Sequence, residues 1–173
     1  MATNTNIRSF RADEWAVHKA LRLRALREDP DAFASTLDHA LTNSDSRWRD
    51  RLAEVVESPF DLALLAENDG TPAGLLWVRF DDAERQLADL YQMWVAPEFR
   101  GGGLGEAMVR DALDWAKQVG ATAAILDVTY GDSPASRLYE RCGFRATGDP
   151  GPLRDGADLL ALPMRIDLAL HAA

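Results

Sequence analysis

A run of glycines that joins a strand-like segment to a helix-like segment is the strongest constraint in this sequence. The segment reads Val95-Ala96-Pro97-Glu98-Phe99-Arg100-Gly101-Gly102-Gly103-Leu104-Gly105. Pro97 ends sheet pairing because it has no backbone donor. Exposed backbone N–H groups at a glycine loop, together with the positive end of a helix dipole, form an anion site suited to a pyrophosphate. The alternative is a plain glycine-rich turn, because tight connections also need residues that tolerate positive φ.

Two common phosphate-binding motifs do not fit this loop. A P-loop requires Gly-Lys-Ser or Gly-Lys-Thr, and Leu104-Gly105-Glu106 contains no lysine. A dinucleotide-binding motif that begins at Gly101 requires a glycine where Glu106 stands. If the loop binds a phosphate, the site is therefore of another kind.

The first third of the chain predicts a short strand followed by two amphipathic helices. Residues 7–10 form the strand-like run, and Asp13 can cap a first helix that ends at Asp29-Pro30. The second helix begins behind Ser44 or Ser46. Its apolar residues recur at i, i+4 and i+7: Trp48, Leu52 and Val55.

The central part predicts a hairpin, a third strand, a helix and a fourth strand. Asn68-Asp69-Gly70 is a hairpin signal between apolar runs at 62–66 and 74–80. A third strand is predicted at 87–95. Helical spacing then extends from 105 to about 120, and a strand is expected at 123–128.

The last part predicts one more helix and two closing strands. Ser133 and Pro134 form an N-cap and N1 pair, and Gly143 ends the helix. Strands are expected at 144–147 and 158–166, with a loop at 148–156 between them. This order predicts an α/β (α+β) fold with a mixed sheet and helices packed on its faces.

Length and composition limit the class of protein. The 173 residues suffice for one well-packed domain and not for two ordinary ones, so we expect a single domain over 1–173. No stretch approaches the roughly 20 apolar residues of a membrane helix, and the N-terminus lacks the apolar run of a signal peptide. One cysteine, Cys142, excludes an internal disulfide. We expect a cytoplasmic protein without a membrane partner.

Charge and histidine spacing exclude other ligands. The formal net charge of -9 argues against nucleic acid, because phosphate backbones are bound by basic patches. It weakly favours a cationic substrate. The three histidines, His18, His39 and His171, lack the spacing of metal ligands, so we expect no metal cofactor.

Two motifs in the right order resemble those of the GNAT superfamily of acetyltransferases. Arg100-Gly101-Gly102-Gly103-Leu104-Gly105 is similar to the family's Arg/Gln-x-x-Gly-x-Gly/Ala cofactor motif, after a strand that ends in Val95-Ala96-Pro97. The segment 132–144, from Asp132 through Leu138-Tyr139-Glu140 to Gly143-Phe144, resembles the family's second signature. Asp132 stands where many members have Asn. The resemblance implies a twisted, mostly antiparallel mixed sheet and acetyl-CoA as cosubstrate.

The resemblance also implies the residues of the site. Tyr139 would protonate the departing CoA thiolate, since a phenol of pKa about 10 can serve a thiolate of pKa about 8.5. Asp89, on the strand before the glycine loop, would be the base, with Glu67, Tyr91 and Glu106 as rivals. A backbone N–H at the strand end would hold the thioester carbonyl. The expected cofactor-binding residues are Met93, Trp94, Val95, Arg100, Gly101, Gly102, Gly103, Leu104, Gly105, Glu106, Asp132, Ser136 and Tyr139.

The predicted activity is N-acetylation of a primary amine by direct attack in a ternary complex. A small-molecule acceptor is favoured, and Trp77, Tyr91, Trp94 and Phe33 are candidates to line its pocket, although aromatic residues in a small domain more often form the core. Cys142 lies on an apolar helical stripe and is interpreted as a core residue. Alternatives are a protein or peptide acceptor, and a non-catalytic CoA sensor. Dimers are common for this fold, so a homodimer stays open.

Overall fold

The computed structural model describes residues 4–81 and 86–168, which form eight strands and five α-helices. The strands are β1 (Thr5–Ser9), β2 (Asp61–Asn68), β3 (Thr71–Asp81), β4 (Leu87–Val95), β5 (Ala123–Thr129), β6 (Arg145–Ala146), β7 (Gly151–Pro152) and β8 (Leu160–Asp167). The helices are α1 (Trp15–Glu28), α2 (Leu37–Leu41), α3 (Asp45–Glu57), α4 (Leu104–Gln118) and α5 (Pro134–Arg141). His171, a histidine considered above, lies outside the described residues.

All eight strands belong to one twisted sheet. The order is β1-β2-β3-β4-β5-β8-β6, and β7 pairs with β8. The neighbours are antiparallel except β4 and β5, which are parallel. The predicted mixed, mostly antiparallel sheet is therefore confirmed.

The helices cover both faces of this sheet. The buried faces of α4 and α5 pack with one set of strand residues, including Leu76, Leu90 and Leu126. The helices α1, α2 and α3 pack on the opposite face around Leu75, Trp77 and Trp94. Alternate residues of β2, β3 and β4 thus contribute to two separate apolar cores, as the period of two requires. We call these the α4/α5 face and the α1–α3 face.

Local sequence signals account for most element boundaries. The Asp69-Gly70 turn has φ values of 49° and 78°, the two positive angles of the turn that fits a twisted hairpin. Ser44 caps α3 by accepting the Arg47 N–H at 3.2 Å. Ser133 likewise caps α5 by accepting the Ser136 N–H at 3.1 Å. The predicted Ser133 cap is confirmed, and of the two alternatives for α3, Ser44 and Ser46, it is Ser44 that caps the helix.

Three local predictions were wrong. Asp13 does not cap α1, because it lies within a 3-10 turn (Ala12–Glu14) that precedes the helix, and the Glu14 N-cap makes no side-chain cap bond. The short helix α2 lies where no element was predicted. The strand β7 lies inside the predicted loop 148–156, because its two residues pair with the edge of β8.

No helix among the described residues is long and apolar enough to cross a membrane.

Candidate active site

The parallel strands β4 and β5 diverge in the middle of the sheet. They pair only from Leu87 to Asp89 on β4 and from Ala123 to Ile125 on β5. Beyond Asp89, no strand in the described part of the chain pairs with this edge of β4. The backbone groups along that edge are therefore available to a ligand that lies in the split.

A cavity of about 800 Å³ occupies the split. Its walls come from the end of α1, the end of β4, the glycine loop, the end of β5 and one side of α5. The lining residues are Glu28, Asp29, Pro30, Asp31, Ala32, Met93, Trp94, Val95, Phe99, Arg100, Gly101, Gly103, Leu104, Gly105, Glu106, Asp127, Val128, Thr129, Ser133, Pro134, Ala135, Leu138, Tyr139 and Arg141. A volume of this size suits a substantial small-molecule ligand.

The glycine loop adopts a backbone that requires glycine at two positions. Gly101 and Gly103 have φ values of 82° and 86°, in the left-handed region. Gly103 is also the N-cap of α4 and, lacking a side chain, makes no side-chain cap bond. The first N–H groups of α4 are thus left for a ligand, as an anion site needs. A Cβ added at Gly105 would lie 3.3 Å from both Leu138 and Met93, so the first turn packs close to α5 and β4.

A β-bulge deforms β4 where it borders the cavity. The register with β3 shifts between the pairs Trp77↔Tyr91 and Leu75↔Trp94, and Gln92 has a φ of 53°. The bulge reverses the alternation, so that Met93 and Val95 pack with the α4/α5 core and Trp94 with the α1–α3 core. Bulges are common beside active sites, where they redirect the backbone.

Tyr139 enters the cavity from the α4/α5 face. The capped helix α5 carries it, and its ring packs edge-on against Phe144 with centroids 5.9 Å apart. The residue is 8% exposed, and burial raises the pKa of its phenol above the usual value. The hydroxyl is therefore protonated at neutral pH and can act as a hydrogen-bond and proton donor.

One carboxylate joins the end of α1 to the glycine-loop side of the cavity. Asp29 Oδ2 accepts the Trp94 indole N–H at 2.7 Å and an Arg100 N–H at 2.6 Å. Although burial opposes ionisation, these two donors hold the pKa of Asp29 below its usual range. Arg100 also donates to the Val95 carbonyl at 2.8 Å. The guanidinium thus lines the cavity while facing α1.

Most of the predicted cofactor-binding residues line the cavity together. The predicted residues found in its wall are Met93, Trp94, Val95, Arg100, Gly101, Gly103, Leu104, Gly105, Glu106 and Tyr139. Three predicted residues do not line it. Gly102 is exposed, Asp132 forms an ion pair with Arg137 at the surface, and the Ser136 hydroxyl bonds to the Ser133 N–H and the Gly131 carbonyl.

Asp89 lies at the closed end of the split and does not line the cavity. Desolvation by the surrounding atoms raises the pKa of the Asp89 carboxyl, and the charge of Asp127 raises it further, although the residue as a whole is exposed. Asp127 itself does line the cavity. It lies two residues beyond Ile125, the partner of Asp89, on the same face of the sheet. Within the described chain, no hydrogen bond or ion pair joins the Asp127 side chain to another residue.

The rivals to Asp89 occupy different environments. Glu67 is bound by Arg8 on the β1–β2 edge, far along the sheet from the split. Glu106 lines the cavity, but its hydrogen bond from Arg110 and the nearby Arg141 lower its pKa. The hydroxyl of Tyr91 is buried and has no hydrogen-bond partner among the residues that the structure describes, and desolvation raises its pKa.

The other singled-out residues are mainly packing residues. Of the four aromatic candidates, Trp94 lines the cavity, whereas Trp77 and Phe33 are buried in the α1–α3 core. Cys142 packs at the edge of the α4/α5 core, and desolvation raises the pKa of its thiol. No group of three metal-ligating side chains occurs among the described residues.

Sequence reasoning missed the walls that come from α1 and β5. The segment 28–32 lines the cavity, and the Thr129 hydroxyl, 98 residues farther along the chain than Asp31, donates to the Asp31 carbonyl at 2.6 Å. Thr129 lies on the same strand face as Asp127, so this bond places Asp127 beneath the α1–α2 connection. No local pattern could have revealed a contact of this range.

Comparison with known proteins agrees with this geometry. The acetyltransferase (GNAT) family model matches residues 20–144. A mycothiol acetyltransferase from Clavibacter sepedonicus is 31% identical over 145 residues, which are 84% of this chain and 44% of that protein. The chain spans less than two thirds of the length of the curated relatives that it matches.

Two solved structures share the fold. An acetyltransferase of the GNAT family from Streptococcus pneumoniae superposes with a TM-score of 0.82 at 21% identity, covering 96% of this chain and 100% of that one. A spermidine N-acetyltransferase from Vibrio cholerae, solved with CoA and spermine, has a TM-score of 0.77 at 18% identity, with coverages of 94% and 95%. With the family model matching most of its length, the chain belongs to the acetyltransferase (GNAT) family.

Proposed function

We propose that this protein transfers the acetyl group of acetyl-CoA to a primary amine, most simply that of a small molecule. The observation that carries the proposal is the cavity in the β4–β5 split, which has the glycine loop at one end and Tyr139 on its wall. The split lets a long ligand thread between two strands. The amine would attack the thioester directly in a ternary complex, so the protein supplies orientation and proton transfer.

The residues of the loop fit the diphosphate of CoA. The uncapped first turn of α4 offers backbone donors, and the open backbone at Gly101 and Gly103 allows phosphates to approach closely. Arg100 and Arg141 add positive charge at the same wall. The carboxylate of Glu106 is already neutralised by Arg110, which reduces its repulsion of phosphate.

The bulged end of β4 would hold the acetyl group. Its free edge can pair with the amides of the pantetheine arm as a strand would, and the positive φ of Gln92 redirects the backbone there. A backbone N–H between Met93 and Val95 would polarise the thioester carbonyl. A fixed donor of this kind stabilises the developing oxyanion without reorganisation.

Acid and base would act from opposite faces of the sheet. Tyr139, from the α4/α5 face, would protonate the departing thiolate. Asp127 extends from the α1–α3 face into the same cavity, and as an unpaired carboxylate it is better placed than Asp89 to take a proton from the amine. Asp89 stays a candidate that can act only through water or through Asp127.

The acceptor would enter beneath the α1–α2 connection, where Asp31 and Asp127 line the wall. Two carboxylates at this entrance support a cationic amine. A protein N-terminus is the second acceptor class, and a non-catalytic CoA sensor is the alternative of a different kind. The residues of the entrance do not include a pattern that selects a peptide.

Tyr139→Phe tests the proposal, because it removes one hydroxyl and keeps the ring against Phe144. We expect thiol release to fall by roughly 10- to 1000-fold while the acetyl-CoA dissociation constant changes less than about twofold. Tyr130→Phe is the matched control, since Tyr130 is 58% exposed and does not line the cavity.

The assay pairs calorimetry of acetyl-CoA binding with thiol release on amino acids, polyamines, aminoglycosides and peptides. An unchanged rate in Tyr139→Phe would remove this residue from the mechanism. Binding without thiol release on every acceptor would favour the sensor, and the absence of acetyl-CoA binding would refute the proposed function.

A further inference from the structure

Arg22 is a buried cation that no carboxylate pairs with in the described part of the chain. It lies on α1, is 6% exposed, and has a buried Nη1 with no hydrogen bond. Within the described residues, no hydrogen bond or ion pair reaches any part of its guanidinium. The guanidinium carbon lies over the ring of Phe33, 4.5 Å from the ring centroid. Arg24 and Arg100, by contrast, each form an ion pair with a carboxylate.

The charge on Arg22 persists despite its burial. Desolvation lowers the pKa of the guanidinium to about 10, which still leaves the group protonated at neutral pH. A buried charge is costly unless it is paired and hydrogen-bonded, and guanidinium is suited to planar, bidentate recognition of carboxylates. An arginine in this position therefore requires an anion, and the described residues do not supply one.

The position of Arg22 relates it to the acceptor half of the site. His18, one helical turn earlier on the same face of α1, contacts the bulge residue Gln92 at 3.3 Å. Phe33, under Arg22, directly follows the cavity-lining residues Asp31 and Ala32. Arg22 is not itself one of the residues that line the cavity, but through Phe33 it adjoins the segment that does.

A second arginine contacts the same segment. Arg154, in the β7–β8 connection, donates to the Phe33 carbonyl at 2.9 Å. Two guanidinium groups therefore contact Phe33, one at its ring and one at its carbonyl. The carboxylates of Asp31 and Asp127 line the cavity, whereas neither arginine does.

We infer that the acceptor carries a carboxylate as well as an amine, and that Arg22 binds the carboxylate. The class of substrate is then an amino acid or a close derivative, oriented with its amine at the thioester and its carboxylate toward α1. This inference rests on the proposed acetyl transfer and specifies its substrate.

The test compares acceptors that differ only in the carboxylate. L-methionine, L-phenylalanine and L-glutamate are each assayed beside the corresponding α-carboxamide, with thiol release as the readout. We expect wild-type kcat/KM to be at least about 10-fold higher for the acids, in line with a charge-assisted hydrogen bond.

Arg22→Met removes the charge and keeps an unbranched apolar stem against Phe33. It should lower kcat/KM for the acids by about 10- to 100-fold, change the amides by less than about threefold, and leave acetyl-CoA binding intact. Arg27→Met is the matched control, because Arg27 is an exposed residue of α1 that does not line the cavity.

Several results would overturn the inference. Equal rates on acids and amides in the wild type would do so, as would an equal loss on both in Arg22→Met. If the protein acetylates spermidine and none of the amino acids, the proposed recognition of a carboxylate is refuted, while the proposed acetyl transfer stands. If Arg22→Met does not fold, the wild-type comparison of acid and amide still decides. A protein that does not bind acetyl-CoA fails at the earlier step, which separates the two hypotheses.

Discussion

Gly74→Ala should disturb the active site from the opposite side of the bulge. Gly74 lies on β3 opposite Val95. A Cβ built there would be 2.7 Å from the Trp94 carbonyl oxygen and 3.4 Å from the Met108 sulfur. The sulfur can move with its side chain, but the carbonyl is backbone and cannot rotate away. The strands must therefore separate by several tenths of an ångström at the point where β4 borders the cavity.

The expected cost follows from this clash. Overpacking in a dense core typically costs about 1–3 kcal/mol. For a protein of this size, each kcal/mol lowers Tm by about 2–4 °C. Displacing the β4 backbone also shifts the donor proposed for the thioester carbonyl, and misplacement of this kind can cost up to about 100-fold in rate. We expect kcat to fall more than acetyl-CoA affinity does.

Urea unfolding and thiol release on the same preparations measure both effects. Gly148→Ala is the control, because its added Cβ would meet only Pro163 at 3.7 Å. This control should be neutral or up to about 1 kcal/mol more stable than wild type. If the unfolding free energy of Gly74→Ala falls within about 0.5 kcal/mol of that of the control, the packing argument is refuted.

Three further predictions concern pH, capping and proton transfer. Desolvation lowers the pKa of His18 to about 4 from 6.5, so stability is complete above pH 6.5 and is lost as pH falls toward 4. Urea unfolding should lose about 2 kcal/mol between pH 7 and 5, a loss absent from His18→Gln. Ser133→Ala removes the cap of α5 and should lower the unfolding free energy by about 1 kcal/mol in the same assay. An unchanged unfolding free energy would contradict the capping role. Asp127→Asn should reduce kcat by at least about 100-fold, and a larger loss in Asp89→Asn would return the base to Asp89. Asp111→Asn, an exposed residue of α4, controls for the change in charge.

Local signals in the sequence predicted the fold well where the chemistry is local. The Asp69-Gly70 turn, the Ser133 cap and the glycine loop each act within a few residues, so their geometry follows from the side chains present. The cap of α1 was predicted wrongly because a 3-10 turn precedes the helix. The strand β7 escaped prediction because a two-residue strand exists only through its partner.

The candidate site divides in the same way. The glycine-loop side was predictable because residues 100–105 follow one another along the chain and place backbone donors at the start of α4. Ser136 and Asp132 belong to the second motif, yet the structure uses them for a helix cap and a surface ion pair. A motif gives the residues in order but not the direction in which each side chain points.

By itself, the sequence determined the order of the main strands and helices, without α2 and β7, the glycine loop that opens α4, and the placement of Tyr139 on a capped helix. Only the tertiary structure decided that β4 and β5 part after three paired residues, that Asp127 rather than Asp89 lines the cavity, and that Arg22 is buried without an anion. The physical reason is distance along the chain. Helix caps and turns form between near neighbours, whereas a cavity and a buried charge depend on segments such as α1 and β5, which meet only when the sheet has formed.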